Sequence, residues 1–265
     1  MRQFILLTIL VISAQAAVAD PCALATKPEA VAVERAIDGD TALLDDGREV
    51  RLAGVAAPKA PLGTAAADWP VADAARAALD KVAAGRVLEF RPGASGQDRY
   101  GRLVGFLADF DAGDHAGVSA DLAAQGLLRV TGRERDCDAT LKAAEGRAIA
   151  LRLGLWSETY YEVRSAADGA SLASAAGRFV VAEGRVASVR QAAGRLYVNF
   201  GARWRDALSL TLSEAALRRL GGLDALDIKA GARLRVRGVV DARRGPIIVV
   251  TDRGQIDRLD AGAPR

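Results

Sequence analysis

The stretch VAVERAIDGDTALLDDGREVRLAGVAAP, residues 31–58, decides the fold because it alternates short apolar strands with tight turns. Residues 31–44 have strand character that the polar turn at 38–40 interrupts. The residues DDG at 45–47 form a strong hairpin signal, and a third strand pattern follows over 49–55. The stretch therefore predicts a three-stranded meander.

Beyond the meander, apolar spacing predicts two more strands and three helices. In chain order the pattern is three strands, a helix, two strands and two helices, which is typical of a small closed barrel of the OB type. We therefore predict an α+β, mainly β, five-stranded OB-type barrel with three helices over residues 20–164. The additional strands cover 87–91 and 103–110, and the helices cover 69–84, 119–125 and 138–153.

A second, smaller OB-like β-barrel is predicted over residues 178–257, followed by a tail at 258–265. The segment 165–177 between the two domains is rich in Ala, Ser and Gly, which is typical of a linker. A helix over 213–220 separates the third and fourth of five strand-like segments. These segments are 178–190, 196–200, 207–212, 234–240 and 247–251.

The first 19 residues have the pattern of a signal peptide. Arg2 precedes an uncharged run over residues 4–13, and the small residues AVA occupy 17–19. The apolar run is shorter than the roughly 20 residues of a membrane span, although an uncleaved anchor is the alternative. We expect cleavage before Asp20 and export to the periplasm or the extracellular medium.

The chain has two cysteines, Cys22 and Cys137. In an oxidising compartment such a pair is usually a disulfide, and two free thiols are the alternative. The single histidine and the isolated cysteines argue against a metal site built from Cys and His.

The net charge of +3 hides an asymmetry along the chain. Residues 20–164 hold 18 Lys and Arg against 23 Asp and Glu, a net charge of −5. Residues 178–257 hold 15 against 8, a net charge of +7. The second domain is therefore the better candidate for contact with a polyanion.

Four short motifs of the first domain are informative because of their order along the chain. They are IDGDT at 37–41, VRLAGVAAP at 50–58, DRYGR at 98–102 and GLW at 154–156. Each motif is weak by itself. In this order and at these spacings, residues 30–160 resemble the staphylococcal nuclease-like (thermonuclease) family.

The resemblance implies a calcium-dependent phosphodiesterase that acts on DNA or RNA. Asp38 and Asp40 match aspartates at the calcium site, and Arg51 and Arg102 match arginines that grip the phosphate. Arginine suits this role because its guanidinium binds two phosphate oxygens at once. The alternative for each arginine is a surface salt bridge, with Asp38 or Asp40 as the partner.

Two positions depart from the pattern of that family. Ala56 stands where a further calcium-binding aspartate is expected, and Lys59 stands where the glutamate that activates water is expected. Pro58 keeps its spacing from Arg51, which argues against a shifted alignment. Alanine offers no side-chain oxygen to calcium, and a lysine ammonium has no acceptor for a proton.

The second domain places aromatic side chains among arginines. Such a mixture can form a stacking platform for single-stranded nucleic acid. Core packing is the alternative for at least one aromatic, since Tyr197 and Phe200 cannot both face one side of a regular strand. The candidate nucleic-acid-binding residues are Arg195, Tyr197, Arg203, Trp204 and Arg205.

The sequence leaves three interpretations open. The first is an exported, catalytically incomplete nuclease-like protein that binds nucleic acid, another polyanion or a protein partner. The second is an active calcium-dependent nuclease that uses a substitute carboxylate, with Asp45, Asp46 or Glu49 nearest in sequence. The third is a structural module of the cell envelope that makes no contact with nucleic acid.

Overall fold

The computed structural model describes residue 22 and residues 27–65, 68–110, 112–113 and 115–260. The predicted signal peptide, its cleavage site and the end of the tail lie outside these residues. The first part of the fold contains β1 (Glu29–Asp38), β2 (Thr41–Leu44), β3 (Glu49–Leu52), β4 (Val55–Ala56), α1 (Pro70–Ala83), β5 (Arg86–Gln97), β6 (Leu103–Ala108), α2 (Gly117–Ala124), β7 (Arg129–Val130) and α3 (Asp138–Ala150).

Five of these strands close into a barrel in the order β1-β2-β3-β6-β5, with β5 paired back to β1. Neighbouring strands are antiparallel except β3 and β6, which run parallel. Gly47 forms the hairpin between β2 and β3, with a φ of +85° that residues with a side chain rarely adopt. The predicted five-stranded barrel with three helices is confirmed.

The barrel core follows from the alternation of side chains along each strand. Val31 and Val33 on β1 and Val50 and Leu52 on β3 are buried. Helix α1 lies against the barrel and buries Leu79 in the same core. The period-two strand pattern and the helical spacing of the sequence therefore meet on one apolar interior.

A disulfide joins Cys22 to Cys137, as predicted. Both sulfurs belong to fully buried residues, and Cys137 immediately precedes helix α3. The bridge connects positions 115 residues apart in sequence. It therefore joins the chain before β1 to the start of helix α3.

Removing this disulfide should lower the free energy of unfolding by about 2–4 kcal/mol, because a cross-link over a long loop restricts the unfolded chain. Urea unfolding of the wild type with and without reductant, beside the Cys22→Ala/Cys137→Ala variant, measures the loss. Reductant should leave the variant unchanged. An unaltered wild-type midpoint after verified reduction would contradict the expectation.

The second part of the fold contains a mixed eight-stranded sheet and three short helices. Its elements are β8 (Arg164–Ser165), α4 (Gly169–Ala173), β9 (Phe179–Arg185), β10 (Ser188–Ala192), β11 (Arg195–Asn199), β12 (Ser209–Ser213), α5 (Glu214–Arg219), α6 (Gly222–Leu226), β13 (Arg233–Asp241), β14 (Ile247–Val249) and β15 (Ile256–Arg258).

This sheet has the strand order β10-β11-β12-β14-β13-β9-β8, and β15 also pairs with β13. Its apolar side chains form a core separate from that of the first barrel. Helix α5 occupies the predicted position after the third strand segment. The predicted strand over 178–190 is divided into β9 and β10. The strand pairings of this sheet among the described residues run from β10 to β8 and do not close into a ring.

The predicted linker at 165–177 is integrated into this second part. It contains helix α4, and Ala166, Leu172 and Ala175 are fully buried. Arg164 Nη1 donates to Ser171 O at 3.0 Å, which ties the helix to β8. Packing against the second core therefore overrides a composition that is typical of a flexible segment.

A buried arginine joins the two parts of the fold. Arg237 on β13 is fully buried, and its Nη1 donates to Glu145 Oε2 at 2.6 Å and to Val130 O at 3.0 Å. Its Nη2 donates to Asp257 Oδ2 at 2.8 Å, and Lys142 lies 2.7 Å from the other oxygen of Asp257. Glu145, Val130 and Lys142 belong to the nuclease-like part, so the network crosses the interface.

None of the helices among the described residues has the length and apolar character needed to span a bilayer.

Candidate functional site

The turn between β1 and β2 places Asp38 and Asp40 beside Arg51 of β3. Thr41 and Arg51 are directly paired across β2 and β3, so the start of one strand lies next to the other. Gly39 allows the turn to approach helix α1, since a Cβ there would lie 2.6 Å from Ala75 Cβ. The turn is therefore packed against helix α1 at Gly39 rather than exposed to solvent there.

Asp40 is fully buried and holds this corner of the barrel together. Its Oδ2 accepts from Ala57 N at 2.8 Å and lies 3.3 Å from Arg51 Nη2. Its Oδ1 accepts from Thr41 Oγ1 at 3.3 Å. Burial is the main reason that the pKa of Asp40 is raised, and Arg51 opposes that rise.

Lys59 places its ammonium between the two aspartates. Its Nζ donates to Asp38 Oδ2 and lies 3.5 Å from Asp40 Oδ1. Burial would raise the pKa of Asp38, but hydrogen bonds from Asp40 and Lys59 outweigh burial and lower it to about 2. The ammonium of Lys59 therefore neutralises charge where the family resemblance implies a cation.

The residues present do not fit a calcium ion. Asp38 Oδ1 accepts from Asp40 N at 2.9 Å, so both carboxylates are already engaged by protein donors. Ala56 supplies no side-chain oxygen, and calcium takes about 6–8 oxygen ligands. Among the described residues there is no cluster of three or more acidic, His or Cys side chains suited to a metal.

Arg102 lies close enough to this corner to interact electrostatically with Asp38 and Asp40. Its Nε donates to Asp98 Oδ2 at 2.8 Å, and its guanidinium lies 5.4 Å from the ring centre of Tyr100. Burial lowers the pKa of Arg102, but Asp98, Asp40 and Asp38 raise it overall. Arg51 and Lys59 thus contact this pair of carboxylates directly, whereas Arg102 contacts Asp98 and interacts with the pair electrostatically.

Asp45, Asp46 and Glu49, the candidate substitute carboxylates, differ in their position relative to Arg51. Asp45 and Asp46 lie in the hairpin at the opposite end of β2 and β3 from Arg51, and Asp46 Oδ2 accepts from Arg48 Nε at 2.7 Å. Glu49 lies two residues before Arg51 on β3 and therefore on the same face of the strand.

A cavity of about 600 Å³ adjoins Arg51 and reaches the second part of the fold at Asp252. Glu134 lines it, is almost fully buried, and accepts from Ala94 N at 2.8 Å through Oε2. Burial is the main reason that the pKa of Glu134 is raised. No local motif around Glu134 marks it, because only the folding of a distant segment brings it to this cavity.

Asp98 also lines the cavity but is fully engaged. Its Oδ1 accepts from Tyr100 N at 2.9 Å, while Oδ2 accepts from Arg102. Burial opposes ionisation, but these hydrogen bonds leave the pKa of Asp98 below its ordinary value. A carboxylate with a lowered pKa is a weak proton acceptor.

The five candidate residues of the second domain do not form one cluster. Tyr197 and Trp204 line a common groove, together with Arg190 and Arg244. The candidates outside its lining are Arg195, at the start of β11; Arg203, 4.0 Å from Asp206; and Arg205, 4.9 Å from the ring centre of Trp204. Tyr197 lies on β11 and lines the groove, whereas Phe200, directly after β11, is buried in the core.

Comparison with known proteins agrees with the barrel. The sequence model described as Staphylococcal nuclease homologue matches residues 49–158. A search of curated proteins gave no match to the chain. The chain is therefore similar to the staphylococcal nuclease homologue family over residues 49–158.

Proposed function

We propose that this protein is exported and binds nucleic acid through its nuclease-like domain without hydrolysing it efficiently. The observation that carries the proposal is the ammonium of Lys59, which pairs with Asp38 and Asp40. The ammonium of Lys59 thus places a positive charge where a catalytic metal ion would have to bind. The match to the family model supports a nuclease-type or nucleic-acid-binding function but does not distinguish the two.

The site retains donors that suit a phosphate. Arg51 and Lys59 remain partly exposed although both contact the aspartates, and Arg102 keeps one nitrogen of its guanidinium free of Asp98. Charge-assisted hydrogen bonds from such groups are stronger than neutral ones. A phosphodiester bound at this corner can therefore contact the three cations.

The same site lacks what hydrolysis needs. Attack on a phosphodiester requires an activated water and stabilisation of charge on the phosphoryl oxygens. Lys59 at the position of the base has three donors and no acceptor, so it cannot take a proton from water. Loss of a general base alone costs roughly 10²–10⁴ in rate.

Export is supported by two features of the chain. The amino-terminal pattern is that of a secretory signal peptide. The disulfide between Cys22 and Cys137 fits an oxidising compartment such as the periplasm or the extracellular medium.

The wild-type protein should bind duplex DNA and should not cleave DNA or RNA faster with calcium than with EDTA. Arg51→Gln/Arg102→Gln should weaken duplex binding and reduce the salt slope by about 1.8, since each phosphate contact contributes about 0.9. Glutamine keeps donors for Asp40 and Asp98. Fluorescence anisotropy over a salt series measures both effects.

The matched control is Arg35→Ala/Arg76→Ala, which removes two exposed arginines of the same domain. It should alter the affinity less than the double glutamine variant. Equal losses of affinity in the two double variants would mean that the effect comes from net charge alone, and they would refute a phosphate site. Absence of salt-dependent binding in the wild type would favour the structural envelope module.

A substitute-carboxylate nuclease is the second candidate, and Glu134 is the observation that favours it. Glu134 lines the cavity that adjoins Arg51, and its raised pKa suits a general base. If cleavage is found, Glu134→Gln should reduce it by about 10²–10⁴ and Glu49→Gln should not. Cleavage that survives Glu134→Gln would remove Glu134 from consideration.

A further inference from the structure

A groove of about 680 Å³ lies on the outer face of the second sheet, remote in sequence from the nuclease-like domain. Its floor is set by strand register, because Tyr197 on β11 faces Arg190 on β10 and Asn199 faces Ser188. Leu196 and Val198, which alternate with them, point into the core. We call this feature the sheet groove.

A row of polar side chains crosses the floor of the sheet groove. Ser209 Oγ donates to Asn199 Oδ1 at 2.9 Å, and Asn199 Nδ2 donates to Ser188 Oγ at 3.0 Å. These bonds fix the orientation of the amide. One amide hydrogen of Asn199 and the hydroxyl of Ser188 remain available to a ligand.

The charges of the sheet groove have one sign. Arg190 and Arg244 line it, both are exposed, and neither pairs with a carboxylate in the part of the chain that the structure describes. No acidic residue lines the groove. The cavity beside Arg51 differs in this respect, since Asp98, Glu134 and Asp252 all line it.

Two aromatic rings complete the groove. Tyr197 is half-buried in the floor, and Trp204 at the edge is 44 % exposed. A Cβ added at Gly245 would come within 3.1 Å of the indole of Trp204, so the ring is held closely against that turn. Trp204 is therefore packed against this turn without a ligand, which limits the entropy that its side chain can lose on binding.

We infer that the sheet groove binds single-stranded nucleic acid. Unpaired bases stack against Tyr197 and hydrogen-bond to the row at Asn199, while backbone phosphates contact Arg190 and Arg244. Stacking on aromatics works for any base, so the site does not select a sequence. A duplex keeps its bases stacked inside, so they are not available to the groove. A neutral sugar carries no charge that could pair with the two arginines.

This inference does not depend on the proposed phosphate site, and the experiment keeps the two apart. Binding is measured on the full chain carrying Arg51→Gln/Arg102→Gln, so that the nuclease-like corner contributes little. The probe is a fluorescein-labelled oligothymidylate of about twelve nucleotides, which is within the length range of single-strand sites. Anisotropy is recorded over a salt series and with heparin as a competitor.

In this background, Tyr197→Ala should weaken binding about 5–100-fold, and Tyr197→Phe should retain it within about 2-fold, because stacking needs the ring and not the hydroxyl. Arg190→Ala/Arg244→Ala should weaken binding at least about 10-fold and reduce the salt slope by about 1.4, at about 0.7 for each phosphate contact. Heparin, which has no bases, should compete less well than unlabelled oligothymidylate.

The matched control is Arg218→Ala/Arg233→Ala, which removes the same charge from exposed residues outside the groove lining. Equal losses in the two arginine pairs would overturn the proposal, as would full affinity in Tyr197→Ala. A groove that prefers duplex DNA or heparin to the single strand would overturn it too. Circular dichroism of each variant confirms that a loss does not reflect unfolding.

Discussion

Calcium-dependent cleavage of DNA should rise by at least about 100-fold over the wild type when Ala56 is changed to Asp and Lys59 to Glu together. Removal of the ammonium frees an oxygen of Asp38 and relieves the pairing with Asp40. The new aspartate adds an oxygen ligand, and the new glutamate adds a proton acceptor. A general base is worth roughly 10²–10⁴ in rate, so the gain is large if the corner otherwise keeps its geometry.

The single changes should do much less than the pair, because a ligand and a base act as one unit. Ala56→Asp leaves the ammonium in place, and Lys59→Glu leaves the ligand set short of an oxygen. Lys59→Gln is the matched control, since it removes the charge and supplies no base. Initial rates on single-stranded and duplex DNA with calcium, and again with EDTA, give the comparison.

Calcium binding provides a second measurement of the double variant. Four carboxylates would then share the corner, so calcium should raise the thermal midpoint of the double variant and leave that of the wild type unchanged. A folded double variant that shows neither cleavage nor a calcium response would show that the corner differs from an active site in more than these two residues.

The second large effect is expected at the interface between the two parts of the fold. Arg237→Met should lower the free energy of unfolding by about 3–5 kcal/mol, because it leaves Glu145 buried without a cationic partner. Both side chains of the pair are fully buried, and Glu145 also accepts from Val130 N at 2.7 Å. Urea unfolding followed by circular dichroism measures the change.

Arg235→Met is the matched control two residues away on β13. Arg235 pairs with Glu183 at 2.7 Å, but both side chains keep contact with solvent, so the cost should stay near 0–1 kcal/mol. Arg237→Met/Glu145→Gln should recover part of the loss, since the uncompensated charge disappears. Equal costs at positions 235 and 237 would contradict the role of the buried pair.

Local patterns predicted the first barrel because its signals are local. The hairpin at Gly47, for example, depends on a few adjacent residues. The sequence also identified Ala56 and Lys59 as departures from the family pattern. It did not predict that the ammonium of Lys59 would pair with Asp38, because that depends on how the loop after β4 folds back.

Features held by distant contacts were harder to predict. The segment 165–177 has the composition of a linker, yet it is ordered by burial of Leu172 and by Arg164. Glu145 and Arg237 lie 92 residues apart, and no spacing rule connects them. The sheet groove likewise requires the register of β10, β11 and β12, which the alternation within a single strand does not define.

Lys59 has a consequence for how the nuclease-like domain responds to its surroundings. A cation on the same chain acts as an intramolecular competitor, and short tethers correspond to effective concentrations in the millimolar range. Dissolved calcium would have to outcompete that tethered charge before it reached Asp38. A change in calcium concentration should therefore leave the charge balance of this corner unchanged.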